Sequence, residues 1–202
     1  IGAEHRLVPS REMGSVAYVA NAADRCFHCR TELYRLADEK RREWGLAVIL
    51  NGTNADDPGD YRPGLRAAER AGVRSPLCEL GFGKNDVRAA ALALGLELWD
   101  KPAAACLASR IPYGTQVTAQ RLAQIEGLEA SLRELGFRQV RVRHHGEIAR
   151  IEVAPEMVAG AAEATLRARI VAAGKRHGFR YVALDLTGYR QGSLNEGLPE
   201  RL

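Results

Sequence analysis

The run Leu46-Ala-Val-Ile-Leu50, followed directly by Asn51-Gly52, decides the predicted fold. It is apolar at every position and β-branched at its centre, which is typical of a strand buried on both faces of a parallel sheet. Residues 5–8 form a shorter apolar run that predicts another strand. Helical patterns occur at residues 24–44, 64–71 and 86–94. Strands that alternate with helices predict a doubly wound α/β unit.

The pattern changes after residue 114. Thr118 precedes an amphipathic helix whose apolar residues recur at helical spacing and which Gly136 ends. Residues 139–144 and 148–153 alternate as two strands of a hairpin, with a turn at His145-Gly146. A helix over 155–173 and a strand over 180–186 are predicted to follow. These elements predict two domains, an α/β domain over 1–114 and a small α+β domain over 115–202.

Composition excludes several classes of protein. The 202 residues include 29 Lys and Arg, 25 Asp and Glu, and 46% hydrophobic residues, which is ordinary for a globular chain. No stretch approaches 18 apolar residues, so we expect no membrane span. A net charge of +4 and only 6% aromatic residues argue against nucleic acid as a partner.

The four cysteines are Cys26, Cys29, Cys78 and Cys106. No signal peptide is visible, so we expect a cytoplasmic protein with reduced cysteines. Such cysteines are more often catalytic, metal-binding or core residues than structural disulfides. Cys78 follows an apparent strand without polar neighbours, which favours a core position.

Cys26-Phe-His-Cys29 is a CxxC motif at the start of a helix, and the helix N-terminus favours thiolates. A thioredoxin-like redox pair is disfavoured, because no buried strand precedes the motif. A zinc site would need a second pair of ligands, which the sequence lacks. Two thiolates plus a lone third cysteine suit an iron–sulfur cluster. Two buried structural cysteines remain the alternative.

Residues 100–112 show no helical or strand-like periodicity of apolar residues. They carry many small side chains, which allow close approach of a ligand. Cys106 lies there with Ser109 and Arg110, and a nearby cation stabilises a thiolate. These features mark a candidate catalytic loop. An ordinary interdomain linker is the alternative.

The turn that follows the central predicted strand is rich in oxygen-bearing side chains. In open α/β sheets, ligands bind beyond the carboxyl ends of the strands. Such side chains hold a ribose, a phosphate or Mg²⁺, although a well-capped loop has the same composition. The candidate nucleotide-binding residues are Asn51, Gly52, Thr53, Asn54 and Asp57.

Arg141 and Arg143 share one face of the predicted hairpin, because side chains on a strand repeat every two residues. Two adjacent guanidinium groups repel unless an anion bridges them, which favours phosphate or carboxylate binding. A solvated arginine face is the alternative. An ion pair is the simple expectation for Arg150 and Glu152.

Five strings of the sequence together resemble the LarE-type ATP-dependent sulfur transferases of nickel-pincer nucleotide cofactor biosynthesis, in the PP-loop ATP pyrophosphatase superfamily. The resemblance extends over nearly all of the chain. The strings are Asp24-Arg-Cys-Phe-His-Cys29, residues 51–57 with Gly59-Asp-Tyr-Arg-Pro-Gly64, residues 99–114 around Cys106-Leu-Ala-Ser-Arg110, Arg141-Val-Arg-His-His145, and Gly192-Ser-Leu-Asn-Glu196.

This resemblance implies a Rossmann-like PP-loop domain that adenylates a carboxylate of pyridinium-3,5-biscarboxylic acid mononucleotide with ATP and Mg²⁺. Sulfur then comes from Cys106, or from a [4Fe-4S] cluster on Cys26, Cys29 and Cys106; the CxxC favours the cluster. Ser109 and Arg110 match positions beside the sulfur, and Arg141 and Arg143 match positions at the substrate phosphate. The resemblance further implies a homo-oligomer that serves lactate racemase maturation.

The sequence lacks one element of that family, the Ser-Gly-Gly-x-Asp-Ser loop that grips ATP. With the Ile start, this predicts an N-terminally truncated sequence. The alternatives are another PP-loop enzyme, such as a tRNA thiolase, and a non-catalytic anion-binding fragment.

Overall fold

The computed structural model describes residues 2–57, 63–102 and 104–190. These residues form a mixed α and β fold, and the chain divides into two compact units. Unit 1 ends at Lys101, and unit 2 begins at Pro102.

Unit 1 is built of helices. The longest, α2, follows the predicted pattern and begins after Asp24, whose side chain makes no capping bond. Its last turn carries Lys40, Arg41 and Arg42, which favour the negative end of the helix dipole. Gly45, at φ +65°, then ends it. The helices are α1 (Val16–Val19), α2 (Arg25–Glu43), α3 (Pro63–Arg70), α4 (Pro76–Glu79) and α5 (Lys84–Ala93).

The core of unit 1 is small. Tyr34 of α2 packs with Ala67 and Ala68 of α3, and these alanines let the two helices approach closely. Partly buried apolar side chains complete this cluster: Phe27, Ile49 and Val73.

The predicted strand over 46–50 is wrong for most of its length. Leu50 alone pairs, in parallel, with Arg74, and the bridge rests on bonds from Arg74 N to the Ile49 carbonyl and from Asn51 N to the Arg74 carbonyl, both 3.0 Å. Leu46, Val48 and Leu50 remain about half exposed. The apolar pattern shows which side chains favour burial, but it does not supply a neighbouring strand. Residues 5–8 form no strand either.

Unit 2 combines helices with a three-stranded sheet. Thr118 caps α6 as predicted, since its hydroxyl accepts a bond from Arg121 N at 3.2 Å. The sheet order is β1-β2-β3; β1 and β2 form the predicted antiparallel hairpin, and β2 and β3 are parallel. The elements are α6 (Ala119–Glu134), β1 (Val140–His145), β2 (Ile148–Val153), α7 (Val158–Ala162), α8 (Ala164–Arg176) and β3 (Tyr181–Leu184).

A well-packed core joins the sheet of unit 2 to its helices. Ile125, Leu128 and Leu132 lie one helical turn apart on α6 and are fully buried. Val142 and Ile151 face each other across β1 and β2 and are buried on the same side. Helices packed on a sheet in this way form the α+β structure that the sequence predicts for this part of the chain.

The division between the units lies earlier in the chain than the expected boundary near residue 114. Residues 102–114 belong with unit 2, where they include a short 3₁₀ turn, Leu107–Arg110. Ile111 and Val117 are buried in that unit. Apolar burial after the turn explains why this loop does not behave as a linker.

Two further expectations are corrected. The helix over 155–173 is interrupted at Glu163, whose extended ψ of 141° separates α7 from α8. Cys78 lies in helix α4 and is half-buried, because Pro76 begins a helical turn there instead of ending a strand. Among the described residues, no helix is both long and apolar enough to span a membrane.

Candidate functional site

Cys106 lies at the start of the 3₁₀ turn, and its side chain is exposed. Its carbonyl oxygen accepts three hydrogen bonds: from Ser109 N at 3.0 Å, from Ser109 Oγ at 2.7 Å and from Arg110 Nη1 at 2.9 Å. The turn therefore presents a thiol to solvent from a firmly held backbone. The structure thus brings Ser109 and Arg110 to the backbone of Cys106, and their role beside the sulfur stays a prediction.

Arg110 is buried, and its main partner is Glu129 of α6. Arg110 Nε donates to Glu129 Oε1 at 2.9 Å, while Arg110 Nη1 reaches the Ala105 carbonyl at 2.7 Å. Glu129 also accepts from Val142 N at 3.1 Å and from Arg133 Nη2 at 2.8 Å. Such pairing compensates the loss of water around both charges.

Arg143 is buried and forms a bidentate pair with Glu152. Its Nε and Nη2 donate to the two carboxylate oxygens at 3.0 and 2.8 Å, and its Nη1 donates to the Ser109 carbonyl at 2.9 Å. Arg143 lies opposite Arg150 across the hairpin, and Glu152 lies two pairs along, opposite Arg141, so the ion pair is diagonal. This arginine therefore holds the far end of the Cys106 turn.

The ion pairs continue across the sheet. Arg150 Nη2 donates to Glu152 Oε1 at 3.1 Å, which is the ion pair the sequence predicted. Arg150 Nη1 donates to Asp185 Oδ2 at 2.7 Å. Cations and carboxylates thus alternate from β1 through β2 to the segment after β3.

Arg141 is only 6% exposed. Its guanidinium lies 5.2 Å from the centroid of the Tyr189 ring, and its Nη1 donates to the Val140 carbonyl at 2.8 Å. Burial, and then the charge of Arg110, hold the pKa of Arg141 below its ordinary value. The solvated-face interpretation of the two arginines is therefore wrong, because both are buried.

Positive charge exceeds negative charge in the interior of unit 2. Among its described residues, the buried charged groups are three arginines and two glutamates: Arg110, Arg141, Arg143, Glu129 and Glu152. A bound anion would offset this excess.

Two histidines follow these arginines on β1. Burial lowers the pKa of His144, which packs edge-on against Phe179 with ring centroids 5.4 Å apart. Burial also lowers the pKa of His145, and the charge of Arg150 adds to this effect. Both rings therefore favour the neutral form.

The CxxC motif lies in the first turns of α2. Cys26 and Cys29 are half-buried and one helical turn apart, so they share a helix face. His28 Nε2 lies 3.1 Å from Asp24 Oδ2. In neither unit do the described residues place three metal-binding side chains together. The three-cysteine cluster stays a prediction, because Cys106 lies in the other unit.

The turn over 51–57 is held largely by its own polar groups. Asn51 Oδ1 accepts from Thr53 N at 3.0 Å, and Asp57 Oδ2 accepts from Asn54 N at 3.1 Å. Asp57 is buried, with Lys84 Nζ 3.9 Å from its second oxygen. The five predicted nucleotide-binding residues, including Gly52, thus lie on one structured turn, and the nucleotide site itself stays a prediction.

Parts of three motifs lie outside the described residues. They are residues 59–62 of the string that ends at Gly64, residue 103 of the string over 99–114, and residues 192–196.

The sequence interpretation missed Glu129, Asp185 and Tyr189, and it treated Glu152 only as a partner of Arg150. Glu129 carried a usable signal, because it interrupts the apolar face formed by Ile125, Leu128 and Leu132. A lone carboxylate on such a face requires a buried partner. Tyr189 and Asp185 carried no comparable signal.

Three known proteins are similar to this chain. It is 42% identical over 198 residues to the uncharacterized protein slr1717 of Synechocystis sp., covering 98% of this chain and 74% of that protein. It is 43% identical over 178 residues to the pyridinium-3,5-bisthiocarboxylic acid mononucleotide synthase of Lactiplantibacillus plantarum, covering 88% and 64%. It is 29% identical over 172 residues to the uncharacterized protein MJ0830 of Methanocaldococcus jannaschii, covering 85% and 66%.

No family model matches the chain. The chain spans less than two thirds of the synthase's length and about three quarters of that of slr1717.

Proposed function

The chain belongs to the family of LarE-type sulfur transferases, and we propose that it transfers sulfur to the carboxylates of pyridinium-3,5-biscarboxylic acid mononucleotide. The relative from Lactiplantibacillus plantarum is named as the synthase of the corresponding bisthiocarboxylic acid. We place the reaction in nickel-pincer cofactor biosynthesis in the cytoplasm, within a homo-oligomer.

The observation that carries this proposal is the exposed thiol of Cys106 on its rigidly held turn. Catalysis by a nucleophile depends on its placement, because a shift of about 1 Å costs about 100-fold in rate. Three donors fix the Cys106 carbonyl, while the side chain stays accessible to a substrate. An inert structural cysteine would instead be buried among apolar side chains.

The chemistry begins with activation of the carboxylate. The substrate carboxylate attacks the α-phosphorus of ATP, and pyrophosphate leaves with an acyl adenylate formed. The Cys106 thiolate then attacks the acyl carbon, and AMP leaves with the electron pair of the broken C–O bond. A thioester to Cys106 results.

Release of the product breaks the Cβ–S bond of Cys106. A base removes the α-proton of Cys106, its electron pair forms the Cα–Cβ double bond, and sulfur leaves with the substrate as a thiocarboxylate. The chain retains dehydroalanine, so each chain donates one sulfur by this route.

A [4Fe-4S] cluster is the alternative source of sulfur that the CxxC favours. The donor set fits in part, because Cys26 and Cys29 offer two half-buried thiols on one helix face, with Cys106 as the third ligand. Such a cluster would supply a sulfide on its open iron. In that case Cys106 serves as a ligand and is not consumed.

We assign Arg141 to the phosphate of the substrate. It is buried in unit 2, and burial lowers its pKa, so an incoming anion would stabilise its charge. Arg143, whose side chain already holds Glu152 and the Ser109 carbonyl, contributes charge beside it.

ATP and Mg²⁺ are assigned to the turn over 51–57. Its side-chain oxygens are ligands that Mg²⁺ prefers, and the turn follows the parallel bridge between Leu50 and Arg74. We infer that this bridge belongs to the parallel sheet of a PP-loop domain.

Mass spectrometry tests the function. The protein is incubated with ATP, Mg²⁺ and the dicarboxylate mononucleotide, and both the thiocarboxylate product and the state of residue 106 are measured. Cys106→Ser should abolish product, whereas Cys78→Ser should retain it. Product formation by Cys106→Ser at the wild-type level would refute the role of this thiol.

Cys26→Ser separates the two sulfur sources. Loss of product and of a reconstituted cluster would support the cluster. A single turnover that leaves dehydroalanine at residue 106 would instead support the sacrificial route.

A further inference from the structure

We propose that Glu129 is a positioning residue for sulfur transfer, because it orients Arg110 and thereby fixes the backbone that carries the Cys106 thiol. This inference rests on the function proposed above and adds a residue that lies 23 positions from Cys106 in the sequence (129 − 106).

Glu129 is fully buried in the middle of α6, and its two oxygens accept hydrogen bonds from three groups. Oε1 accepts from Arg110 Nε at 2.9 Å and from Val142 N at 3.1 Å. Oε2 accepts from Arg133 Nη2 at 2.8 Å and from Arg110 Nη2 at 3.4 Å. The carboxylate is thereby fixed relative to both α6 and β1.

The planar guanidinium of Arg110 transmits this position to the turn. Its Nε and Nη2 are directed at Glu129, so the rigid geometry of the fork directs Nη1 to the opposite side. There Nη1 donates to the Ala105 carbonyl at 2.7 Å and to the Cys106 carbonyl at 2.9 Å, and lies 3.1 Å from Ser109 Oγ. One guanidinium therefore links the buried carboxylate to the two backbone carbonyls that flank the Cys106 α-carbon.

The Cys106 side chain is exposed, so the backbone and not side-chain packing sets its direction. Arg143 holds the other end of the turn through the Ser109 carbonyl. Loss of the Glu129–Arg110 link should therefore free the Cys106 end while the Ser109 end stays attached. A looser thiol slows the chemical step more than it weakens substrate binding.

The test uses two variants and a matched control. Glu129→Gln removes the negative charge but leaves Arg110 buried without a full countercharge, which threatens folding. The double variant Arg110→Met/Glu129→Leu replaces both charges with apolar side chains of similar size, so it should fold. Glu126→Gln alters an exposed carboxylate on the same helix and serves as the control.

Hydrogen exchange measures the effect of losing the Glu129–Arg110 link, and it does so independently of sulfur transfer. Amides of residues 104–111 should exchange at least tenfold faster in the double variant than in the wild type. The amides of β2, and those of β1 apart from Val142, whose acceptor is Glu129, should exchange at wild-type rates. Unchanged exchange at residues 104–111 would overturn the inference.

Sulfur-transfer kinetics provide the second measurement. We expect kcat to fall about 100-fold in the double variant with KM changed less than about twofold, and Glu126→Gln to match the wild type. A wild-type kcat in the double variant, or an equal rise in KM, would overturn the positioning role. If the wild type itself transfers no sulfur, the proposed function fails, and this outcome is distinct because exchange still reports the link.

Discussion

Units 1 and 2 contain similar proportions of apolar residues but bury very different numbers of them. Among the described residues, four apolar side chains are buried in unit 1 and sixteen in unit 2. The run over 46–50 is the most apolar strand pattern of the chain, yet Leu46, Val48 and Leu50 are about half exposed. An apolar strand pattern thus forms a strand only where a neighbouring strand can pair with it, as for β1 and β2.

The ion pairs of the two units also differ in how deeply they are buried. In unit 1 several of them lie along the surface of α2, for example between Arg35 and Glu32 and between Arg35 and Glu39. In unit 2, Arg110–Glu129 and Arg143–Glu152 lie in the interior. Surface pairs contribute little, whereas breaking a buried pair is costly. In unit 2, buried arginines hold backbone carbonyls, Arg110 that of Cys106 and Arg143 that of Ser109.

Breaking the buried pair of unit 2 should give the largest effect. Glu152→Gln deprives Arg143 and Arg150 of their shared carboxylate and should destabilise unit 2 by about 3–5 kcal/mol. Urea denaturation followed by circular dichroism measures this change.

The matched surface variant is Glu39→Gln on α2, which removes one exposed partner of Arg35. It should not change stability measurably. Trp44 and Trp99 both lie in unit 1, so their fluorescence reports that unit. Equal destabilisation by both variants would contradict the distinction between the two sets of ion pairs.

Core truncation should give the next largest effect. Leu128 of α6 is 0% exposed, so Leu128→Ala should cost about 2–5 kcal/mol through lost burial and the cavity left behind. Leu50 is 57% exposed, and Leu50→Ala should change stability by less than about 0.5 kcal/mol. A similar cost at both positions would show that the run over 46–50 is buried in solution.

The fold was predictable for elements whose hydrogen-bonding partners lie close to them in the sequence. Helix α2, helix α6 and the hairpin of β1 and β2 are local structures, and the sequence predicts each of them. The strand over 46–50 depends on a distant partner, which periodicity does not identify. The Glu163 break also escaped prediction, since no Gly or Pro marks it.

The sequence predicted which arginines belong to the candidate site, but it did not predict the contacts that they make. Alternation placed Arg141 and Arg143 on one face, and this is correct in the structure. Their burial was not predicted, because it depends on Glu152 for Arg143 and on Tyr189 for Arg141. Neither contact follows from a strand pattern.

A smaller effect is expected at Tyr189, whose ring lies over Arg141. Without the ring, the Arg141 guanidinium is less well oriented, so its affinity for an anion should fall, at most by the roughly 2- to 30-fold that corresponds to a cation–π contact of about 0.5–2 kcal/mol. Tyr189→Leu should therefore weaken binding of inorganic phosphate in isothermal titration, while Tyr189→Phe retains it.

Tyr181 supplies the control, because its ring is 53% exposed and also lies beside cations, Lys175 and Arg180. Tyr181→Leu should leave phosphate affinity unchanged. If Tyr189→Leu binds phosphate as the wild type does, the ring does not orient Arg141.

The smallest expected effect is a pH dependence confined to unit 2. Burial, followed by the charge of Arg121, lowers the pKa of His144 below its ordinary 6.5. The unfolded chain therefore binds a proton more readily than the folded one, so stability should fall as pH drops below about 6.5 and level off below the folded pKa. His144→Phe keeps a ring against Phe179 and should reduce this slope in urea denaturation between about pH 7 and pH 5. Because burial also lowers the pKa of His145, the remaining slope should shrink further in His144→Phe/His145→Gln. A wild-type slope in His144→Phe would show that His144 takes up its proton as easily in the folded state as in the unfolded chain.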